Sequence, residues 1–406
     1  MAMRLCVNVL LGIVNALAFL LERGTRSQWK SDEPKQILIL RTAALGDFVL
    51  SIPAMHRLRT AFPTAKITLL TTASTNQKTL ETVEAYTNRQ SPWLELLPVK
   101  LIDEVQYFSG RLSWDFLPWK KAASHSKGFD ACFILNEGIG PTLGGTVKKI
   151  AWLRATGVRC RIFGIRTRAY PKLFPLVQTG AYQLEHHVLA LIRSVEECPK
   201  VAQQTQPEVR FKLNIPSEAR AWAQALLTGC GCNAAEVIVV APGSRLEFKK
   251  WPVSSYIQLI AALLQRPNTH VFLVGSGPEV DAVSQVKAGH AKSPHLDRLH
   301  DFSGQTSIAQ LAALLNLAKV FVGNDGGTCH LAAAVGCKVV SISNGGEIPN
   351  SVEPWGNQRF TARHAVPCAP CYSFTFCPKE NNRCVTGIAP AVVINLVEQA
   401  LHDDRA

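Results

Sequence analysis

No Asp-x-Asp pair occurs anywhere in the 406 residues, and there is neither a P-loop nor a His-Glu-x-x-His. The first absence removes the common motif for a metal-held nucleotide sugar. The others remove a Walker-type site and a zinc-protease centre. Short-period repeats and low-complexity tracts are missing as well. Charged residues make up only 18% against 47% apolar, which argues against extensive disorder and leaves ample residues for buried cores. Two glycine-rich stretches fall short of the dinucleotide fingerprint. After Gly275 and Gly277 the third position holds Val280, and "NEGIGPTLGG" at 136–145 has Leu143 there.

Acidic residues are outnumbered 30 to 43 by basic ones, giving a formal charge of +13 and a pI near 9.3. A basic surface favours a polyanion: nucleic acid, an acidic membrane leaflet or a phosphorylated glycan. No recognition-helix, RNA-binding or finger motif supports the first. The twelve cysteines are scattered, some in apolar settings such as Cys132 in "ACFIL" and Cys337 in "AVGCKVV". That pattern suits reduced cytosolic thiols better than a secreted disulfide framework.

Leu5 to Leu21 is an uncharged run of seventeen residues, slightly short of the roughly 20 that span a bilayer. Asn8, Gly12 and Asn15 line one helical face, and Arg23, Arg26 and Lys30 follow. A membrane-associated helix on the cytosolic face fits these features. A helix packed on the protein is a second option. A signal peptide with Ala16-Leu17-Ala18 near its cleavage site is a third, although the apolar run continues past it.

From Lys35 onward, apolar runs such as "ILIL", "KITLLT", "ACFIL", "RIFGI", "EVIVVAP", "HVFLVG", "VFVGND" and "KVVSIS" alternate with amphipathic helical patterns. Alternation of this kind implies doubly wound parallel α/β sheets. The rhythm lapses at 199–217, a polar, proline-punctuated linker. The expected plan is an apolar helix at 1–30, an α/β domain at 31–198, the linker, a second α/β domain at 218–386, and a C-terminal helix at 387–406.

"ALGD" places Asp47 where a strand ends and a helix begins. A helix cap is the bland role for such an acid; a weak general base beside glycine is the functional one. "GNDGGTCHLAAAVG" at 323–336 reads as a tight turn feeding a helix from about Thr328, whose free N–H groups suit phosphate. Gly326 and Gly327 allow close approach, Thr328 offers a hydroxyl, and His330 lies in the first turn. Asp325 suits sugar hydroxyls or backbone rather than phosphate. An ordinary αβ turn is the alternative. "APGSRLEFKKWP" at 241–252 offers Ser244, Lys249 and Lys250 to a diphosphate, or merely to solvent. Glu279, after "LVGSGP", can accept from ribose hydroxyls or simply start a helix. Cys368, Cys371, Cys377 and Cys384, spaced C-x2-C-x5-C-x6-C, are a structural-zinc option, with buried thiols or a redox-formed pair as the alternative.

The segments "ILILRTAALGDFVLSIPAMHRLRTAFPTAKITLL", "APGSRLEFKKWP" and "NDGGTCHLAAAVG", in that order, resemble the heptosyltransferase-type glycosyltransferases of family 9. The stretch "VKKIAWLRATGVRCRIFGI" resembles that family's segment leading to its acceptor region. The resemblance covers most of 35–400. It implies a GT-B architecture, two Rossmann-like domains facing across a cleft, with the nucleotide sugar bound mainly by the second. It implies inverting, metal-independent transfer from ADP-heptose to a lipopolysaccharide core acceptor, with no cofactor. It casts Asp47 as general base, Lys249 as the diphosphate cation and Ser244 as a phosphate-side hydroxyl. Asp325, Gly327 and His330 fill the family's Asp-x-Gly-x-x-His, and Glu279 falls near its ribose-binding acid.

Two departures lie near the expected donor sugar: Gly326-Gly327 after the aspartate, and "SISNGGEIPNSVEPWG" in place of a Gly-Pro-Thr turn. They keep open a related transferase using another nucleotide sugar in O-antigen or capsule assembly. A non-catalytic nucleotide-binding or membrane-scaffold protein is the competitor from another class. Lys148, Lys149, Arg154, Arg159, Arg161, Arg166 and Arg168 are candidates to meet an anionic lipid A-linked acceptor at the cytosolic face of the inner membrane, or to form a solvated basic face. Nucleic acid is not an expected partner.

Overall fold

Runs of four or five apolar residues buried on both faces make central parallel strands, and the computed structural model contains two such sets. It describes residues 33–41, 44–72, 92–108, 128–135, 150, 153–154, 158, 160–164, 185–204, 209–232, 236–371, 373 and 376–403. The apolar N-terminal segment, "NEGIGPTLGG" and Lys148, Lys149, Arg159, Arg166 and Arg168 lie outside the described residues. The chain divides into two compact units, Met1–Phe211 and Lys212–Ala406.

In the first unit, β1 (Gln36–Leu40), β2 (Lys66–Thr72), β3 (Glu104–Phe108), β4 (Ala131–Ile134) and β5 (Arg161–Phe163) form a parallel sheet ordered β3-β2-β1-β4-β5. Ile39 sits in register between Leu69 and Phe133. Helix α1 (Leu45–Ala61) buries Phe48, Ile52, Met55 and Leu58, the apolar stripe legible in the sequence. It packs against α2 (His187–Val195), and Arg57 of α1 reaches Glu196 at 3.2 Å. A short helix, α3 (Pro199–Ala202), follows.

The second unit opens with α4 (Ser217–Gly229) and continues through β6 (Glu236–Ala241), α5 (Val253–Leu264), β7 (Thr269–Leu273), α6 (Val280–Gly289) and β8 (Leu299–Asp301). Next come α7 (Ile308–Leu317), β9 (Val320–Asn324), α8 (Gly327–Ala334), β10 (Lys338–Ile342) and β11 (Thr361–Ala362). The chain finishes with α9 (Arg383–Thr386) and α10 (Pro390–Leu401), the latter packed beside α5. The sheet is parallel throughout, ordered β11-β10-β9-β6-β7-β8. One of its faces buries Tyr256, Leu259, Val271, Val283 and Val393 in a continuous core.

Counted from each unit's own first strand, both sheets run 3-2-1-4-5, with a sixth strand in the second. That is the doubly wound Rossmann order, so the expected α/β class holds in both units. The order reverses between β1 and β4 in one sheet and between β6 and β9 in the other. Such sheets bind ligands at the carboxyl ends of the strands flanking that switch point. Among the described residues, no helix is long and apolar enough to cross a membrane.

Candidate functional site

Asp47 stands at the switch point of the first sheet, as the third residue of α1 just beyond β1. The cap position belongs to Ala44, and no side chain caps this helix. Asp47 is therefore not the helix cap that its position in the sequence allows. Its side chain is exposed, and among the described residues its carboxylate has no hydrogen-bond or ion-pair partner.

The Asp47 carbonyl accepts from Nη2 of Arg41. Arg41 is fully buried and also donates through Nη1 to the Leu135 carbonyl at 3.1 Å, just past β4. One guanidinium thus ties the first turn of α1 to the ends of both strands at the reversal. Sequence reasoning missed Arg41. The available signal was a lone cation directly following "ILIL" in an apolar context. Phe48 stacks on Trp93 with centroids 3.7 Å apart, fixing the same turn from below.

In the second unit the loops after β6 and β9 meet. Asn324, the buried last residue of β9, accepts from the Trp251 N–H at 2.9 Å. It donates to the carbonyls of Pro242 and Gly243, each at 2.9 Å. Both ends of the 242–251 loop are therefore fastened to one side chain. Trp251 is itself buried, donating its indole N–H to the Ile388 carbonyl at 2.8 Å and meeting Tyr256 edge-on. Asn324 is the second residue sequence reasoning missed, although it lies within "GNDGG".

That fastening delivers Lys249 to Asp325: Nζ and Oδ2 are 2.7 Å apart, with both side chains largely buried. Burial pushes the Asp325 carboxyl up, but Lys249 pulls it further down, helped by His330 and Arg363. The net result lies below the ordinary carboxylate value. The partner expected for Asp325, a sugar hydroxyl or backbone, is thus joined here by the cation expected to face a diphosphate. Lys250 instead pairs with Glu247 at 2.6 Å and is partly buried.

Gly326 caps α8 without a side chain, in extended backbone, and Gly327 and Thr328 open the helix. Their N–H groups precede any intrahelical partner. Cys329 and His330 point into the buried layer. Ser244 accepts from the Leu246 N–H at 3.3 Å, which leaves its hydroxyl hydrogen available to a ligand. Glu279 closes a capping box with Ser276, accepting its N–H at 3.0 Å, so its helix-starting role is realised. It also lies against the Ser244 loop: a Cβ on Gly243 would come within 2.4 Å of the Glu279 Cβ. Ser244, Lys249, Glu279, Asp325, Gly326, Gly327, Thr328 and His330 accordingly gather at the carboxyl end of one sheet.

The departing turn after β10 is built differently from the loops beside it. Asn344 is buried and accepts from the Gly346 N–H at 2.7 Å, while the Gly345 carbonyl accepts from Cys371 at 2.9 Å. A Cβ on Gly345 would come within 2.9 Å of the Ala369 Cβ and 3.2 Å of the Cys384 Cβ. The cysteine-rich loop is therefore seated on this turn. Cys384 feels Cys377, Cys371 and Cys368 electrostatically, yet burial is the main reason its thiol is raised. Cys377 titrates below its ordinary value: burial raises it, but N–H groups of residues 379–382 outweigh that. These four sulfurs are not among the ligand groups that close to within 4.8 Å in the described residues. Of the basic candidates, Arg154 donates to the Val158 and Cys160 carbonyls, each at 2.9 Å, and Arg161 lies over the Phe163 ring.

The sequence model of glycosyltransferase family 9 (heptosyltransferase) matches residues 151–379. Lipopolysaccharide heptosyltransferase 3 of Escherichia coli (strain K12) is 31% identical over 106 residues, which is 26% of this chain and 30% of that protein. The aligned stretch thus spans under a third of that relative. A solved glycosyl transferase family 9 structure from Veillonella parvula superposes with a TM-score of 0.64 at 18% identity, covering 90% of this chain and 97% of that one. E. coli heptosyltransferase WaaC with ADP superposes at 0.55 and 16% identity, covering 90% and 99%. At these identities the structural likeness is one of fold: the two-domain GT-B plan.

Proposed function

The chain belongs to glycosyltransferase family 9, and on that premise we propose that it is an inverting glycosyltransferase moving heptose from ADP-heptose to a lipopolysaccharide core acceptor. An acceptor hydroxyl attacks the anomeric carbon from the face opposite the diphosphate. A new C–O bond forms as the bond to the phosphate oxygen breaks, so the centre inverts. Asp47 takes the hydroxyl proton. A weak base suffices, because that proton becomes acidic only as attack proceeds.

The leaving nucleotide diphosphate is stabilised by Lys249, the Ser244 hydroxyl and the open N–H groups at Gly327 and Thr328. Gly326 and Gly327 admit the donor close to the backbone. Glu279 accepts from ribose hydroxyls through the oxygen that Ser276 leaves unused, while Asp325 and His330 hold Lys249 and the turn. In this scheme the diphosphate charge is met without a metal ion. Arg154 and Arg161, with their basic neighbours in the sequence, meet an anionic lipid A-linked acceptor. The N-terminal apolar segment keeps the protein on the cytosolic leaflet of the inner membrane.

The observation that carries this reading is the Lys249–Asp325 pair beside the uncapped start of α8 at the β6/β9 reversal. The pair sets a cation beside the open N–H groups of α8, where a diphosphate would need it. A second reading, transfer of a different sugar in O-antigen or capsule assembly, is favoured by the Asn344–Gly346 turn and the cysteine-rich loop packed on it. Incubation with ADP-heptose and a panel of other nucleotide sugars, read by nucleotide diphosphate release and product mass, separates the two. Release from ADP-heptose in the presence of chelator supports the first, and release from another donor supports the second. Release from none, by folded protein with a lipid A-linked acceptor, contradicts both.

A further inference from the structure

A separate set of ligating side chains lies in the second unit, away from every group given a role above. Cys232 follows α4 in the connection to β6, His270 is the second residue of β7, and His300 is the middle residue of β8. One potential ligand atom from each falls within 4.8 Å of the other two. The three are far apart in sequence, and only the sheet brings them together. Phe272 and His300 are register partners, and side chains two apart on a strand share a face, so His270, Phe272 and His300 project from the same side. The cluster occupies the β8 edge of the sheet near the start of β7, whereas Ser244 and Asp325 follow the ends of β6 and β9.

The two imidazoles meet through an N–H···N hydrogen bond rather than a charged contact. Nδ1 of His270 and Nε2 of His300 are 2.9 Å apart, and the rings are parallel to within 2° with centroids 5.3 Å apart. At least one ring is neutral to accept that bond, and burial holds both below the usual imidazole range. The Cys232 thiol is buried and, among the described residues, makes a single long contact, 3.7 Å, to the Cys230 carbonyl. Phe272 closes the site on one side, tilted against His300 at 4.7 Å and stacked on Phe302. The charges nearby are Asp297, which favours a cation at both imidazoles, and Arg298, which opposes one at His270. Arg298 is already occupied by the carbonyls of Leu264, Arg266 and Thr269.

We propose that Cys232, His270 and His300 form a binding site for a zinc-class divalent transition-metal ion. One thiolate and two imidazoles are a donor set that late first-row metals favour and that magnesium and calcium do not. Two nitrogens on one tetrahedral zinc stand roughly 3.3 Å apart, given Zn–N bonds of about 2.0–2.1 Å. To admit the ion, the imidazole pair opens by a few tenths of an ångström and each ring turns so that both nitrogens aim at one point. Binding expels the Cys232 thiol proton and moves the N–H shared by the two rings to an outer nitrogen, so one proton leaves for each ion bound. The ion clips the α4–β6 connection to the edge strand β8. Its role is to stabilise the second unit, and it takes no part in sugar transfer.

The test uses the full-length chain stripped of metal, with Cys368 and Cys371 changed to serine so that the other cysteine cluster cannot contribute, and titrates it with Co²⁺. The expected result is one equivalent bound, with the visible absorption of a tetrahedral ion and a thiolate-to-cobalt charge-transfer band. Cys232→Ser abolishes that band, and His270→Asn or His300→Asn weakens binding by more than about tenfold. Zn²⁺ raises the melting temperature of the parent but not of the histidine variants, whose folding without metal is checked by circular dichroism. If the serine background does not fold, the intact chain and its His270→Asn/His300→Asn form are compared for bound zinc, and a difference of one equivalent is expected. No cobalt binding by folded protein, a spectrum unmoved by Cys232→Ser, or equal zinc content in that comparison means the cluster is packing only and overturns the proposal.

Discussion

Nζ of Lys249 lies 2.7 Å from Oδ2 of Asp325, joining the loop after β6 to the turn after β9 at the point where the strand order of the second sheet reverses. Asp325 fixes where the ammonium stands before any ligand arrives. Pre-placed charge of this kind stabilises a departing anion without reorganisation during the reaction.

Changing Lys249 to alanine removes the cation that the proposed function sets against the diphosphate, and it strands a largely buried carboxylate. Affinity for ADP and the rate of transfer should both fall, while Asp325→Asn should retain some ADP affinity but misplace the ammonium. Each single change should also lower stability by about 3 kcal/mol, the penalty for leaving one member of a buried pair alone. Calorimetric titration with ADP and urea unfolding check the two effects separately.

The same pair sets an acid limit. The folded-state carboxyl of Asp325 lies below its ordinary value of 3.8, because Lys249 outweighs the effect of burial. Its contribution to stability is therefore complete above that value and is lost as pH falls through the lower folded one. Melting curves taken from pH 7 downward should show wild type and Asp325→Asn converging only in that acidic window. Parallel curves throughout would show that the pair contributes nothing.

Asn324 holds the Lys249 loop by three hydrogen bonds. Asn324→Ala leaves one N–H and two carbonyls without that partner and should destabilise the unit by about 3 kcal/mol. ADP affinity should drop together with stability. Asn324→Asp keeps the acceptor for Trp251 but sets a buried carboxylate oxygen against both carbonyls, so it should be at least as destabilising as alanine.

Gly243 is needed because Glu279 stands over it. In Gly243→Ala the new methyl would approach the Glu279 Cβ to 2.4 Å. The expected cost is about 1–3 kcal/mol, accompanied by weaker binding of ADP as the Ser276–Glu279 turn moves. Adenosine binding measured beside ADP binding separates a ribose-side defect from a phosphate-side one.

The central strands of both sheets were legible because they are buried on both faces and read as unbroken apolar runs. The edge strands β3, β8 and β11 were not. "EVQYF" and "LHD" mix polar residues into a half-covered surface, and "TA" is too short for any period. The helices "SSYIQLIAALLQR" and "IAQLAALLNLA" were legible from their 3.6-residue pattern and form α5 and α7. The residues expected at the nucleotide end were read correctly as neighbours of turns, but not the pairing of Lys249 with Asp325, which are 76 positions apart. Arg41 and Asn324 escaped notice because their work is done on backbone carbonyls of distant loops, which no local pattern reports. The Cys232, His270 and His300 cluster escaped for the same reason, since only the register of β7 and β8 assembles it.

The central claim is that Asp47 removes the acceptor proton in a reaction whose donor is held by the second unit. It is tested most directly by measuring single-turnover transfer and equilibrium ADP binding for Asp47→Asn alongside wild type. The account predicts a fall in transfer of about 100-fold or more, the scale of lost general-base catalysis, with the dissociation constant for ADP unchanged. Transfer by Asp47→Asn at near the wild-type rate would contradict it.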